Sequence, residues 1–374
     1  MFQLLKKSKK SKARLGRLKV GHGVIETPFF MPIATRGAVK SLTSEELKSL
    51  GAKIILSNTY HLMLRPGSSV IKKFGGLHGF MKWNGPILTD SGGYQVFSLG
   101  AKNNDKDEMD SKVRIFPNGV RFKDPLDGKE YFLTPEKAVE IQRDLNSDIM
   151  MCLDWCPSYG ATKKDITKAV ELTTEWAKRC KFAKEQKKNK NYLFGIIQGG
   201  IFKDLREKSL NDLLGIKFDG YAVGGLAVGE SVCEMYKVLD FIVPKIAEDK
   251  PHYLMGVGYP EQIVEAVKRG IDMFDCVIPT RHARHGDLFV MTKNNLLGKF
   301  YKIISIGKGQ YLSDFSKIDN KCDCYVCQTF SRAYLNHLYR TKEMLYYRLS
   351  TIHNLKFYLD LMKDIREAIK NGKL

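Results

Sequence analysis

The chain has 374 residues, with 61 Lys and Arg against 41 Asp and Glu, a formal charge of +20. Hydrophobic residues at 43% and charged residues at 27% describe a globular chain and exclude global disorder. No run approaches the roughly 20 apolar residues of a membrane span, and the basic start lacks an apolar signal core of roughly 7 residues. Eight cysteines are too few for a disulfide scaffold in so long a chain, which leaves a cytoplasmic protein with one metal site as the expectation.

In chain order, the first feature is a run of cations, Lys6, Lys7, Lys9, Lys10, Lys12, Arg14, Arg17 and Lys19, ahead of any acidic residue. Such a surplus favours a polyanionic partner. Short apolar strand segments follow at 27–33, 53–57, 86–89, 148–153, 192–197, 220–223, 252–255 and 272–278. Helices with readable ends separate them. Thr43 and Glu46 form a capping box ahead of a helix that Gly51 can stop, and Thr134 caps one with Pro135 in its first turn. Pro260 opens a helix over 261–269 that Gly270 ends. A second basic group, Lys181, Lys184, Lys187, Lys188 and Lys190, reads as the solvated end of a helix. Eight β/α units favour an α/β fold with a closed parallel (β/α)8 barrel, the TIM barrel, over an open doubly wound sheet.

Two interruptions break the rhythm. Residues 101–133 are polar and turn-rich, and Asn118-Gly119 between apolar runs signals a β-hairpin insertion after strand 3. After strand 8 come a cysteine cluster, a helix over about 328–350 and a last amphipathic helix over 355–369. The expected organisation is one barrel over 1–374, a hairpin at 101–133, a zinc-binding subdomain at 281–354 and a closing barrel helix at 355–374.

Barrel chemistry sits at the carboxyl ends of the strands, and here those ends are polar. Strand 2 runs into Ser57-Asn58-Thr59-Tyr60-His61, strand 3 into Asp90-Ser91-Gly92-Gly93-Tyr94-Gln95, and strand 4 into Asp154-Trp155-Cys156. Strand 5 ends in Gln198-Gly199-Gly200, strand 6 leads through Gly224-Gly225 to Glu230, and strand 8 holds Asp275. Three carboxylates and an amide aimed at one mouth are costly without a ligand. Asp154 can accept from two N–H groups of a guanine-like edge, and Gln198 can serve a carbonyl and another N–H. Backbone N–H groups near Gly225 can approach closely, and Tyr94 and Met255 can cover the ring faces. Period-two alternation places Cys152, Asp154 and Cys156 on one side of their strand. Alternation also turns Asp275 inward with Met273 and Val277, and turns Asp272 to the opposite face as a structural group. Asp90 and Asp275 then remain for chemistry: cleaving a glycosidic bond with retention needs one carboxylate as nucleophile and another group as acid and base.

Cys322, Cys324 and Cys327 place three thiols within six residues. Thiolates plus an imidazole suit a structural zinc, with His353 or His337 as fourth ligand; a reactive redox pair is the alternative. His353 is expected between the end of one helix and the start of the next.

These motifs resemble the bacterial tRNA-guanine transglycosylases (queuine tRNA-ribosyltransferases) over residues 13–374. The resemblance rests on Glu26-Thr27-Pro28, Ser57-Asn58-Thr59-Tyr60-His61-Leu62, Asp90-Ser91-Gly92-Gly93-Tyr94-Gln95, Gly195-Ile196-Ile197-Gln198-Gly199-Gly200, and the stretches 221–230 and 275–281. It implies exchange of the wobble guanine of a GUN anticodon for a 7-deazaguanine base, with Asp275 as nucleophile and Asp90 as proton shuttle. It further implies base recognition by Ser91, Gly92, Gly93, Asp154, Cys156, Gln198, Gly225 and Leu226, with Tyr94 and Met255 stacking. Anticodon-loop contacts are implied for Gly256, Val257, Gly258, Tyr259, Pro260, Glu261 and Gln262, and for Thr280, Arg281, His282, Ala283 and Arg284. Of these, Arg281 and Arg284 are the expected cationic contacts. One Zn2+ per chain on Cys322, Cys324, Cys327 and His353, and a homodimer, are likewise implied. Val228 matches bacterial members, which favours 7-aminomethyl-7-deazaguanine over queuine. Trp155 departs from the family's acidic residue, and 290–321 is unlike the pattern. A non-catalytic tRNA-binding subunit and a DNA-acting relative are the competing readings.

Overall fold

The computed structural model describes residues 1–100, 113–187, 190–293, 295–296 and 298–374; for 97–100 it describes the backbone alone. The part of the expected insertion at 101–112 and Lys188 of the second basic group lie outside the described residues. Three N-terminal strands, β1 (Phe2–Lys7), β2 (Arg14–Val20) and β3 (Gly23–Thr27), pair antiparallel in sequence order. The first basic run therefore lies largely in strands: Arg14 is buried, and Lys7 pairs with Glu248. Sequence reading took this segment for a basic start, because lysines mask the alternation that buries Phe2 and Leu18.

The barrel opens with β4 (Phe29–Met31) and β5 (Ile33–Ala34), halves of one strand divided at Pro32. A proline has no N–H for a ladder, so each half serves one neighbour. β5 pairs with β6 (Ile55–Ser57), and β6 with β7 (Ile87–Thr89). A small antiparallel sheet, β8 (Val113–Phe116), β9 (Gly119–Lys123) and β10 (Glu130–Leu133), intervenes in the chain. Its β8–β9 turn follows the Asn118-Gly119 signal, and Trp176 Nε1 donates to the Pro117 carbonyl at 2.8 Å to pin it to the helix Lys163–Glu185. The barrel continues through β11 (Ile149–Met151), β12 (Tyr192–Ile197), β13 (Gly220–Val223), β14 (His252–Leu254) and β15 (Met273–Asp275), all parallel. β15 returns to β4 and closes the ring. The strands are shorter than the sequence suggested. In particular, Ile278 begins the helix Ile278–Arg284 instead of ending strand 8.

Beyond the barrel, β16 (Asp287–Met291) and β17 (Tyr301–Ser305) form a hairpin that the sequence did not announce. The expected pair of C-terminal helices is also rearranged. Short helices Tyr325–Thr329 and Arg332–Arg340 precede one 27-residue helix, Met344–Lys370. His353 lies within that helix and not between two. Nothing between 350 and 355 breaks helical geometry, since no Gly or Pro stands there.

Inward residues Met31, Leu56, Leu88, Met151, Ile196, Tyr253 and Met273 fill the barrel with Phe2, Leu18 and Ile25 of the N-terminal sheet. That sheet covers the amino ends of the strands. At this end Asp148 accepts from the His22 and Ile87 backbone N–H groups at 2.9 Å each and contacts His22 Nδ1 at 2.9 Å. Arg14 grips Asp272 through Nε at 3.0 Å and Nη2 at 2.5 Å, and its remaining donors take the Glu248 and Lys250 carbonyls. His252 N–H also donates to Asp272 at 2.7 Å. Asp272 thus has the structural role that alternation assigned it. Removing one partner of a buried pair strands the other charge. Arg14→Met is expected to cost about 3–5 kcal/mol in urea unfolding, read as a lower midpoint with unchanged slope; a loss below about 1 kcal/mol would place the pair among the weak surface bridges.

Candidate active site and metal centre

The carboxyl ends of the strands surround a cavity of about 790 Å³. Asp90, Ser91, Tyr94, Asp154, Cys156, Gln198, Gly225, Met255 and Asp275 all line it. Asp90 follows β7 and is held by neutral donors: Asn58 Nδ2 at 2.5 Å, Thr59 N–H at 2.9 Å and Gly92 N–H at 3.1 Å. Burial pushes its pKa up to about 7 against those bonds, and the charges of Asp275 and Asp154 push the same way. Asp275, at the end of β15, is 9% exposed. It accepts from Tyr253 O–H at 2.6 Å and Gly256 N–H at 2.9 Å, while burial raises its pKa above the usual carboxylate range. Tyr253, one strand over, is raised well above an ordinary phenol by burial and by Asp275, so it stays a donor.

Asp154 accepts from Gln198 Nε2 at 2.7 Å and from Ser91 Oγ at 3.5 Å. Burial lifts its pKa to about 6. Gln198 lies over the loop after β13: a Cβ on Gly225, whose φ is +62°, would fall 2.5 Å from Gln198 Oε1. Glycine is required there on both counts. Glu230 closes the loop by accepting from Ala227 N–H at 2.5 Å and Val228 N–H at 3.1 Å. The site as a whole presents acceptors, an amide and backbone edges to a planar ligand, with Tyr94 half-exposed at the mouth.

Several expected contacts are placed differently. Cys152 faces the outer core beside Cys180, on the side of Met150, because the chain departs from alternation between Cys152 and Asp154, beyond the end of β11. Gly92 and Gly93 pack beneath the site, where added Cβ atoms would meet the Tyr60 nitrogen at 3.1 Å and the Asp154 carbonyl at 2.8 Å. The Leu226 side chain belongs to the outer core. Gly256, Gly258, Tyr259, Gln262, Arg281 and His282 line the cavity, while Val257, Pro260, Thr280 and Ala283 are buried away from it. Glu261 accepts from Tyr301 O–H at 2.6 Å, and Arg284 Nη1 caps its own helix at the Thr280 carbonyl. Arg281 remains exposed at the rim. Asn58, Thr59 and Tyr253 hold the two central carboxylates, and sequence reading gave none of them a role. Their signal was available in the polar stretch after strand 2, and for Tyr253 in an inward tyrosine on strand 7.

Cys322, Cys324, Cys327 and His353 are buried with their ligand atoms within 4.8 Å of one another. His353 Nε2 contacts the Phe289 carbonyl at 2.7 Å, which as an N–H bond leaves the Nδ1 lone pair facing Cys327 Sγ at 3.3 Å and Cys324 Sγ at 3.7 Å. Hydrogen bonds from the neighbouring Cys322 and Cys327 thiols hold the Cys324 thiol well below its ordinary pKa. Three thiols and one imidazole so disposed can hold a tetrahedral metal ion. His337 does not join the group.

The raised pKa of Asp154 has a consequence for stability. A carboxyl at about 6 in the fold and 3.8 unfolded destabilises the charged protein, a cost absent at low pH and complete above about 6. Asp154→Asn, which keeps an acceptor for Gln198 and a donor for Ser91, is expected to melt roughly 2–4 °C or more above wild type near neutral pH. The gap should open between about pH 4 and about pH 6 while activity is lost. An equal or lower melting temperature at neutral pH would mean that Asp154 is not a strained group.

Comparison with known proteins agrees with this geometry. The family model described as queuine tRNA-ribosyltransferase matches residues 8–374. Queuine tRNA-ribosyltransferase of Acinetobacter baylyi is 53% identical over 362 residues, covering 96% of this chain and 89% of the relative. The proteins of the same name from Acinetobacter baumannii and Tolumonas auensis are 53% and 50% identical, over 96% and 98% of this chain and 91% and 94% of theirs. A closed barrel with paired carboxylates in its mouth and a Cys3His group beside it, matched at this identity over nearly the whole chain, belongs to the queuine tRNA-ribosyltransferase family.

Proposed function

We propose that this chain, a tRNA-guanine transglycosylase of queuosine biosynthesis, exchanges the wobble guanine of GUN anticodons for 7-aminomethyl-7-deazaguanine by double displacement. The observation that carries the reading is that Asp90 and Asp275 face one cavity, with the charge of one raising the pKa of the other. An Asp275 oxygen attacks C1′ of the ribose, forming a C1′–O ester bond as the C1′–N9 bond breaks. The departing guanine takes its proton at N9 from Asp90. The resulting Asp90 carboxylate removes the N9 proton of the incoming base, whose nitrogen attacks C1′ and frees Asp275. Both proton transfers need a group near neutrality, which suits a pKa of about 7.

Asp154, Gln198 and Ser91 supply the base edge, and Tyr94 and Met255 its faces. Arg281, His282 and the glycines of 256–258 are disposed for an unstacked RNA loop, whose target base must leave its stack to reach this depth. Val228 lines the cavity and favours the smaller deazaguanine. The Cys3His group is read as a structural zinc site, which when loaded ties the three-cysteine segment to the long C-terminal helix. The proposal includes a homodimer and a cytoplasmic location, both resting on family membership; no helix among the described residues is long and apolar enough to cross a membrane.

Asp275→Ala is expected to bind tRNA, yet neither to give a protein–RNA adduct on denaturing electrophoresis nor to incorporate labelled guanine. Full incorporation by that variant assigns the nucleophile elsewhere. Wild-type protein is expected to carry about one zinc per chain by elemental analysis, lost in Cys324→Ser. A metal-free wild type that is fully folded and active would refute the site.

A further inference from the structure

Among the described residues, Arg206 is the one arginine in the set of largest fully buried side chains, at 0% exposure. It sits in the first turn of the helix Lys203–Ile216, on the face that also buries Leu205, Ser209, Leu210 and Leu213. Its guanidinium reaches two different loops. Nε donates to the Gly200 carbonyl at 2.7 Å, and Nη1 donates to the Ile197 carbonyl at 2.7 Å, so one side holds the chain on either flank of Gln198. Nη1 also donates to the Gly224 carbonyl at 2.7 Å, and Nη2 to the Gly225 carbonyl at 3.3 Å, which holds the loop after β13. The four acceptors are all main-chain carbonyls. One turn along the same helix, Ser209 Oγ accepts the Gln198 N–H at 3.1 Å.

A buried cation whose hydrogen-bond acceptors are all main-chain carbonyls is a costly way to stabilise a fold. What it supplies is geometry. A planar fork with fixed donor directions sets the distance and angle between two strand ends in a way a flexible ammonium cannot. Between those ends lies the Gln198 side chain, which donates to Asp154 and lies so close to Gly224 and Gly225 that a Cβ on either would collide with it. The base-reading face is thus assembled from two loops whose relative position one side chain fixes.

We propose that Arg206 is a positioning residue for base recognition: it clamps the loops after strands 5 and 6 so that Gln198, Asp154 and the Gly224-Gly225 backbone present one rigid edge to the purine-like base. This deepens the proposed reaction and rests on it. Arg206 does not itself line the cavity, so its loss should be felt by the base through the loops it holds and not by the tRNA.

The test uses metal-loaded wild type, R206K and R206M. Labelled-guanine exchange into unmodified tRNA gives separate KM values for guanine and tRNA, and calorimetry gives guanine binding to the tRNA-free protein. R206M is expected to raise the guanine KM and Kd about tenfold to hundredfold while the tRNA KM stays within about twofold. R206K, which keeps the charge but cannot bridge four carbonyls, should fold and still show a raised guanine KM. The proposal is overturned by unchanged guanine affinity in folded R206M, by guanine and tRNA KM rising together, or, should R206M not fold, by wild-type guanine affinity in R206K. Failure of both variants to fold assigns Arg206 to fold stability and also overturns it. A wild type that binds guanine without exchanging it would sink the reaction while leaving the role of Arg206 standing on the binding data.

Discussion

Three carboxyl groups share the mouth of this barrel, and among the described residues no cation is a hydrogen-bond partner of any of them. Asp90, Asp154 and Asp275 are held by amides, hydroxyls and backbone N–H groups. Neutral donors orient a carboxylate without quenching it, so burial is free to raise each pKa. A guanidinium in the same place would bring rigidity at the expense of reactivity. The surrounding structure follows from this constraint. Like charges must be kept close in a low dielectric, so the frame beneath them must be stiff.

That frame is built from opposite material. At the amino ends of the strands, Asp272 is fully ion-paired with Arg14, and the packed interior separates the two acidic populations. Asp272 immediately precedes β15 and Asp275 ends it, so the two lie three positions apart and differ by face as well as by end. The same residue type therefore serves as a bolt at one end and as chemistry at the other. Arg206 shows a third variation, a cation used for its shape with carbonyls as its only named acceptors.

The parts of this molecule that were legible in the sequence are those where a local rule has one solution. Capping boxes, the Asn118-Gly119 turn, the strand-end motifs and the cysteine cluster each carry their meaning in a few adjacent residues. What was illegible depends on partners far away in the chain. The N-terminal sheet hid beneath its lysines, since only tertiary burial distinguishes Arg14 from its neighbours. Alternation put Cys152 on the same side as Asp154, but the chain beyond the short β11 does not sustain it. The role of Arg206 needed two loops to be seen together, because nothing in Asp204-Leu205-Arg206 says which carbonyls lie overhead. The buried or diverted members of the expected RNA contacts, such as Val257 and Glu261, show the same limit: a motif marks a segment, and packing decides which of its side chains face out.

The long C-terminal helix joins two places that chemistry would otherwise keep apart. His353 belongs to the metal group, Asn354 Nδ2 holds the Pro279 carbonyl at 3.0 Å, and Tyr358 O–H holds the Gly258 carbonyl at 2.6 Å. Five residues of helix, roughly 7.5 Å of rise, span the interval. The thiols are outside the catalytic cavity, yet their anchor and the cavity's rim hang from the same rod. A disturbance of the cysteine group would therefore reach the cavity's rim through the helix itself, with no shared ligand or charge between them.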